Sequence, residues 1–125
     1  MRARILLADD NASLLAALKR LLDWSYTVVG TVRTGAEALE AAGFLQPDVI
    51  VIDVRLPDID GLEVCQHVRT AGLHAKVVIL TAADDPKVEQ RAFELGASGF
   101  VPKYRAGDDL IPAIERALVN RDPGL

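Results

Sequence analysis

The sequence predicts an α/β domain: a doubly wound parallel sheet of five strands with helices on both faces. The first observation is residues 49–53, Val-Ile-Val-Ile-Asp, whose four consecutive apolar residues are typical of a strand buried on both faces of a parallel sheet. The second is that five apolar runs alternate with segments of helical periodicity. Because β-α-β crossovers are right-handed, this alternation favours the doubly wound arrangement, for which 2-1-3-4-5 is a common strand order.

The apolar runs give the expected strands, and each run ends at a polar residue or a turn. They cover residues 4–8, 26–31, 49–53, 76–80 and 99–101. Apart from its first residue, the fourth run is as continuously apolar as the third, so both are expected inside the sheet. Leucines spaced along one face follow the first strand and predict a helix, and Trp24 is expected to close that apolar face by packing against it.

Capping residues set the expected ends of the later helices. Thr34, three residues before a glutamate, has the spacing of a capping box that opens the second helix, and Gly43 is the expected end of that helix. Asp108 or Asp109 is expected to cap the last helix, which would place Pro112 in its first turn. The expected N-caps and end glycines of the two helices between them are Asp60 and Gly72, and Asp85 and Gly96.

Composition restricts the class of function. The 125 residues are predicted to form one domain over residues 1–120 and a linker-like tail over 121–125, which favours a fragment of a longer protein. The net charge of -4 and the lack of a Lys/Arg cluster argue against direct binding of this chain to nucleic acid. The single cysteine, Cys65, excludes an intrachain disulfide. No apolar run is long enough for a signal peptide or a membrane span, so we expect a cytoplasmic protein.

Polar side chains follow or end four of the five strands at one edge of the predicted sheet. They are Asp9 and Asp10 after the first strand, Asp53 at the end of the third, Thr81 after the fourth and Lys103 after the fifth. The carboxyl ends of parallel strands meet at the edge where open α/β sheets place their ligand sites, so these residues are expected to converge. Three carboxylates repel one another unless a cation lies between them, and Mg²⁺ suits such a set. A hydroxyl and an ammonium beside the metal indicate recognition of a phosphoryl group.

This constellation resembles the receiver domain of two-component response regulators. The resemblance rests on the paired acids Asp9-Asp10, on Asp53 within Ile-Asp-Val-Arg-Leu-Pro-Asp-Ile-Asp-Gly, and on Thr81 and Lys103, and it covers nearly the whole chain. It implies a flavodoxin-like fold and a signalling switch rather than an enzyme. The implied partner is a sensor histidine kinase or a histidine phosphotransfer protein, whose phosphohistidine supplies the phosphoryl group.

The resemblance also implies a metal site. In that picture Asp53 accepts the phosphoryl group, and Mg²⁺ is held by Asp10, Asp53 and the backbone carbonyl of Arg55, with Asp9 acting through water. Lys103 would pair with the phosphoryl group.

A switch is implied in the same way. Thr81 would bond the phosphoryl group once it is present, and Phe100 would turn inward on activation. The surface of the fourth helix, fifth strand and fifth helix would then change and control an output domain or a partner, with transcription regulation and phosphorylation-induced homodimerisation as the expected outputs. The chain departs from the family pattern in having Tyr104 after Lys103, where a proline is common, and Phe100 where many members have tyrosine.

Two other classes of function share parts of this pattern. A phosphatase of the haloacid dehalogenase type needs an acid two residues after its nucleophile, but Arg55 stands there and the chain leaves no room for a cap domain. A flavin-binding module needs a Ser/Thr/Gly-rich phosphate loop after the first strand. The acidic stretch Asp9-Asp10-Asn11 would instead repel a flavin phosphate.

Overall fold

The structure, a computed structural model, describes residues 2–119. The predicted tail over 121–125 lies outside the described residues. The strands are β1 Arg4–Ala8, β2 Thr27–Val32, β3 Val49–Asp53, β4 Lys76–Thr81 and β5 Gly99–Pro102. The helices are α1 Ala12–Leu22, α2 Gly35–Leu45, α3 Gly61–Thr70, α4 Pro86–Glu94 and α5 Ala106–Val119, with a 3₁₀ turn at Lys103–Arg105. Within residues 2–119, no helix combines the length and apolar character needed to cross a membrane.

The strands form one parallel sheet in the order β2-β1-β3-β4-β5, which confirms the predicted fold class and strand order. The order makes β1 and β3 neighbours although they are not consecutive in the chain. Ala8 of β1 pairs with Ile52 of β3, so the next residues, Asp9 and Asp53, emerge side by side at the carboxyl edge. The topology therefore supplies the closeness of two acids that are 44 positions apart in the sequence.

The core consists of two apolar layers, one on each face of the sheet. Successive residues of a strand point to opposite faces, so alternate positions of β1, β3 and β4 enter different layers. The layer beneath α1 and α5 contains Ile5, Leu7, Val49, Val51, Val78 and Leu80. The layer beneath α2, α3 and α4 contains Leu6, Ile50, Ile52, Val77 and Ile79. Burial on both faces explains why the central runs are continuously apolar.

The predicted end of α2 at Gly43 is wrong, because the helix continues to Leu45 and its C-cap is Gln46. Gln46 takes the left-handed conformation, with φ 49°, that often ends a helix. Leu45 packs against the layer beneath α2, α3 and α4, and this apolar contact supports the additional residues of helix. Gly43 itself is exposed within the helix.

The predicted start of α5 is also wrong. The 3₁₀ turn at Lys103–Arg105 leads directly into the helix at Ala106, which is buried, so the helix begins earlier than either aspartate. Asp108 and Asp109 lie in the first turn, and Pro112 lies in the helix interior. Pro112 is on the exposed side of α5, where water can bind the carbonyl that lacks its usual helical donor.

Trp24 does not pack against α1 as predicted, since it is 88% exposed. The helix ends at Leu22, and the chain turns so that Tyr26 enters the core instead. The guanidinium of Arg2 donates hydrogen bonds to the carbonyls of Asp23 and Trp24 and holds this turn against the amino edge of the sheet. The leucine face of the helix is thus closed by a tyrosine rather than by the tryptophan.

We predict that Gly43→Ala stabilises the fold by about 1 kcal/mol, because alanine is preferred to glycine by that amount inside a helix. A Cβ atom at position 43 would meet no neighbouring atom within 4 Å. Urea unfolding of both proteins measures the difference in the free energy of unfolding. A loss of stability would show that position 43 needs the conformational freedom of glycine and that α2 ends there.

Gly61→Ala is the control for Gly43→Ala and should have the opposite effect on stability. A Cβ atom at position 61 would overlap the backbone carbonyl of Asp53, which cannot move without displacing the end of β3. Gly61→Ala should therefore lower the free energy of unfolding.

Candidate functional site

Four of the five predicted site residues meet at the carboxyl edge of the sheet. Carboxylate oxygens of Asp9, Asp10 and Asp53 all lie within 4.8 Å of one another. The ammonium of Lys103 lies 2.8 Å from Asp9 Oδ2 and 2.9 Å from Asp53 Oδ2. The site is therefore a compact cluster of three carboxylates, two of which share one cation.

Asp53 ends β3 and is 5% exposed. Burial raises the pKa of its carboxyl above the usual range, because the charged form loses contact with water, and the charge of Asp9 adds to that effect. The hydrogen bond and charge of Lys103 and the Arg55 N–H oppose the increase. Asp53 Oδ1 accepts from the Arg55 N–H at 3.3 Å, a long contact, whereas Oδ2 accepts from Lys103. Oδ2 is thus held more firmly than Oδ1.

Lys103 is the counter-ion of the cluster. Burial lowers the pKa of its ammonium, but the contacts and charges of Asp9 and Asp53 outweigh burial, so the net pKa is raised. The β5 strand and the following 3₁₀ turn, which begins at this residue, bring the side chain over the ends of β1 and β3. The peptide bond to Tyr104 is trans, as are the others in the described part of the chain.

The paired acids after β1 occupy different environments. Asp9 is 1% exposed, and its Oδ1 accepts from the backbone N–H of Asn11 at 2.9 Å. Its Oδ2 is buried and meets Lys103 at ion-pair distance, but outside the geometry of a hydrogen bond. Asp10 is exposed to solvent. One acid therefore belongs to the buried ionic cluster, and the other borders it from the solvent side.

Thr81, the fifth predicted residue, lies at the same edge but does not bond to the carboxylates. It is 4% exposed, and its hydroxyl donates to the Ala83 carbonyl at 2.7 Å and accepts from the Ala83 N–H at 3.1 Å. Phe100, on the neighbouring strand β5, is partly buried and packs against the layer beneath α2, α3 and α4. The Thr81 hydroxyl thus makes both of these hydrogen bonds within its own loop, and the Phe100 ring packs against the apolar core.

The loop after β3 is fixed where it enters α3. Asp60 caps this helix by accepting from the Glu63 N–H at 2.8 Å, as predicted, and the Gly61 N–H donates to the Val54 carbonyl. The helix start is pressed against the end of the strand so closely that no side chain fits at Gly61. This contact sets the path of the backbone at Arg55.

Two residues that sequence reasoning missed bind at this edge. The Arg33 guanidinium donates to the Asp10 carbonyl at 2.7 and 3.2 Å. Asp58 accepts from the N–H groups of Gly35 and Ala36 at 2.8 and 2.9 Å, and these bonds lower the pKa of its carboxyl. Arg33 directly follows β2, so the rule that polar residues at strand ends converge could have found it. No local signal marks Asp58, because its partners belong to another loop.

The remaining titratable candidates have no part in this cluster. Cys65 is buried, and burial raises the pKa of its thiol to about 11. His67 and His74 are exposed.

The donors present fit a hard divalent cation. Magnesium prefers carboxylate and carbonyl oxygens and keeps several waters. The cluster offers three carboxylates, one exposed to solvent, and the buried Asp9 Oδ2 has no well-aligned hydrogen bond among the described residues. Magnesium would further reduce the repulsion among these carboxylates, which Lys103 already offsets.

Comparison with known proteins agrees with this geometry. Residues 5–115 match the family model described as the response regulator receiver domain. The chain belongs to this family. Receiver domains are phosphorylation switches of two-component systems that bind Mg²⁺ at an acidic pocket, and they imply a phosphodonor partner such as a sensor kinase.

Individual relatives give the same result. The response regulator MprA of Mycobacterium ulcerans is 36% identical over 121 residues, which are 97% of this chain and 52% of that protein. The chain thus spans about half the length of the curated relatives it matches. The receiver domain of NarL from Mycobacterium tuberculosis superposes with a TM-score of 0.91 at 31% identity and covers 96% of this chain and 98% of that one. A LuxR-family regulator from Aurantimonas sp. SI85-9A1 has a TM-score of 0.91 at 33% identity, covering 97% and 88%.

We predict that Asp53→Asn stabilises this receiver domain at neutral pH without metal. Because the folded-state pKa of Asp53 is raised, its contribution to stability is present below the usual carboxyl pKa and is lost as pH rises through the raised value. The advantage of the variant in the free energy of unfolding should therefore grow from about pH 4 to about pH 7, by about 1.4 kcal/mol for each unit of raised pKa. Urea unfolding across this range measures it, and an advantage that shrinks with pH would contradict the burial argument.

Mg²⁺ should reduce the stability advantage of the variant. Metal at about 100 times its dissociation constant should stabilise the wild type by about 2.7 kcal/mol and the variant by less. Equal stabilisation of both proteins would exclude Asp53 from the metal site.

Proposed function

We propose that Asp53 is the phosphoryl acceptor of this receiver domain. The observation that supports it best is the difference between its two carboxylate oxygens. The side chain is buried beside Lys103, yet among residues 2–119 the one hydrogen bond to Oδ1 is the 3.3 Å contact with the Arg55 N–H. Asp9 is less suited, because its Oδ1 is held at 2.9 Å and its Oδ2 is buried against the ammonium. Asp10 is exposed to water, which weakens its interaction with any charged partner.

The proposed reaction is transfer from the phosphohistidine of a sensor histidine kinase or a histidine phosphotransfer protein. The phosphorus–nitrogen bond breaks as a bond forms between phosphorus and an Asp53 carboxylate oxygen, giving an acyl phosphate. Lys103 stands beside that carboxylate and would pair with the phosphoryl oxygens as Asp53 loses its own charge. The domain then serves as a switch that assists its own phosphoryl transfer, rather than as an enzyme acting on a separate substrate.

Magnesium, when bound, would neutralise charge that develops on the phosphoryl oxygens. We propose Asp10, Asp53 and the backbone carbonyl of Arg55 as its ligands, with Asp9 acting through water. The exposure of Asp10 supports a direct role, since a water-bearing ion can reach it without leaving solvent. The ion pair of Asp9 with Lys103 supports an indirect role for Asp9.

We propose that Thr81 and Phe100 carry the signal. A phosphoryl group on Asp53 adds about 1.5 to 2 negative charges and strong acceptors. These compete with the Ala83 carbonyl for the Thr81 hydroxyl proton. Movement of that hydroxyl towards the phosphoryl group opens volume that the Phe100 ring can fill. The surface formed by α4, β5 and α5 changes as a result.

The chain spans about half the length of the curated relatives it matches. We propose that the α4, β5 and α5 surface controls an output domain or a partner. Transcription regulation and a homodimer formed on phosphorylation are the proposed outputs. A regulator that receives its phosphoryl group from a sensor kinase would work in the cytoplasm.

We predict one added phosphoryl group on the wild type after incubation with acetyl phosphate and Mg²⁺, detected by intact-protein mass spectrometry. Asp53→Asn removes the proposed nucleophile and should show no added mass. Asp108→Asn is the control, because it removes an exposed carboxylate outside the cluster, and it should gain the phosphoryl group like the wild type. Retention of the added mass by Asp53→Asn would assign the acceptor elsewhere.

We predict that Phe100→Ala uncouples phosphorylation from association. A fully buried phenylalanine contributes roughly 1.5 to 3 kcal/mol, which is comparable to the free energy that separates two conformers of a switch. Phe100→Tyr is the control and should alter the partition only modestly, since the switch depends on packing. Light scattering with and without beryllofluoride, a phosphoryl analogue, measures association. Normal analogue-dependent association of the alanine variant would contradict the packing mechanism.

A further inference from the structure

Residues 33–36 run from the end of β2 into the first turn of α2 and bind both loops that carry the proposed metal ligands. Arg33 at its start bonds to the loop after β1, and the N–H groups at its end bond to the loop after β3. We propose that Arg33 and Asp58 are positioning residues, which clamp these two loops through residues 33–36 and so fix the spacing of the metal ligands. This inference rests on the proposed metal site.

The first arm of the clamp holds the loop after β1. Two nitrogens of the Arg33 guanidinium, Nη2 and Nε, donate to the Asp10 carbonyl at 2.7 and 3.2 Å. One residue earlier, the Val32 carbonyl accepts from the Asp9 N–H at 3.1 Å. The backbone of both paired acids is therefore tied to the end of β2. An anchored backbone limits the positions that the two carboxylates can take.

The second arm holds the loop after β3. Both oxygens of Asp58 bind backbone N–H groups at the start of α2: Oδ1 binds Gly35 at 2.8 Å and Oδ2 binds Ala36 at 2.9 Å. Helix α2 already has its own N-cap, since the Thr34 hydroxyl accepts from the Glu37 N–H. Asp58 therefore supplies acceptors for the two N–H donors that the cap leaves open, from a loop more than 20 residues away.

Packing brings the same two segments together. A Cβ atom at Gly35 would overlap the side chain of Ile59 and lie 2.8 Å from its backbone carbonyl. Ile59 is partly buried against the apolar layer beneath α2, α3 and α4. The start of α2 and the tip of the loop after β3 are thus in direct backbone contact next to the two hydrogen bonds of Asp58.

Arg55 lies in the part of the loop that this arm pins. On one side, the Gly61 contact fixes the junction of β3 and α3. On the other, Asp58 is bound three residues after Arg55, with the conformationally restricted Pro57 between them. The proposed carbonyl ligand therefore sits in a short segment held at both ends, and the acids after β1 are held by the other arm.

The test is Mg²⁺ affinity, measured by isothermal titration calorimetry on the whole chain. Arg33→Ala and Asp58→Ala should each raise the dissociation constant about tenfold, the lower end of what loss of an outer-shell partner costs. Cutting either arm breaks the link between the two loops, so Arg33→Ala/Asp58→Ala should bind Mg²⁺ within about twofold of the weaker single variant. Thr34→Ala is the matched control: it removes the cap of the same helix but neither arm, and its affinity should equal that of the wild type.

Amide hydrogen exchange gives a readout independent of metal. Asp58→Ala should speed exchange at Gly35 and Ala36, whose N–H groups lose their acceptor, and leave the β3 amides unchanged. The proposal is overturned if Asp58→Ala keeps wild-type affinity, if Thr34→Ala weakens binding equally, or if the double variant shows the product of the single effects. A wild type that binds no Mg²⁺ would overturn the proposed metal site as well, and so identifies that failure separately.

Discussion

The site depends on one ammonium placed between two carboxylates. Lys103 lies within 3 Å of both Asp9 and Asp53, which are almost fully buried and would otherwise repel each other in a medium that screens charge poorly. The same cation stands beside the carboxylate oxygens of the proposed acceptor. A single residue thus keeps the acidic cluster stable before phosphorylation and is in place to meet the phosphoryl charge afterwards.

The fold brings these three side chains together at one edge of the sheet. Parallel strands that are buried on both faces can place polar residues only at their ends. The order β2-β1-β3-β4-β5 makes the ends of β1 and β3 neighbours and places β5 two strands from β3. The loops supply what the strands do not. Gly61 allows α3 to approach the end of β3, and residues 33–36 tie the neighbouring loops to each other.

The sequence predicted those features of the fold and the site that depend on periodicity and on the residues at strand ends. The strand order and the convergence of Asp9, Asp53 and Lys103 follow from rules that act along a single strand or across a parallel sheet. Sequence-based prediction failed where a contact between distant segments decides the outcome. Trp24 and Tyr26 are both aromatic residues near the end of α1, and only the direction of the turn selects which is buried. Asp58 looks like an ordinary turn residue, because its partners at the start of α2 are more than 20 positions away.

The central claim is that Lys103 stabilises the charge on Asp53, and the pKa of that carboxyl tests it most directly. Carboxyl carbon chemical shifts, followed through a pH titration without metal, give that pKa for the wild type and for Lys103→Met, which keeps most of the side-chain volume. The hydrogen bond and charge of Lys103 oppose the effect of burial, so the pKa should rise further in the variant. An unchanged or lower pKa would show that the ammonium does not stabilise the charge on Asp53.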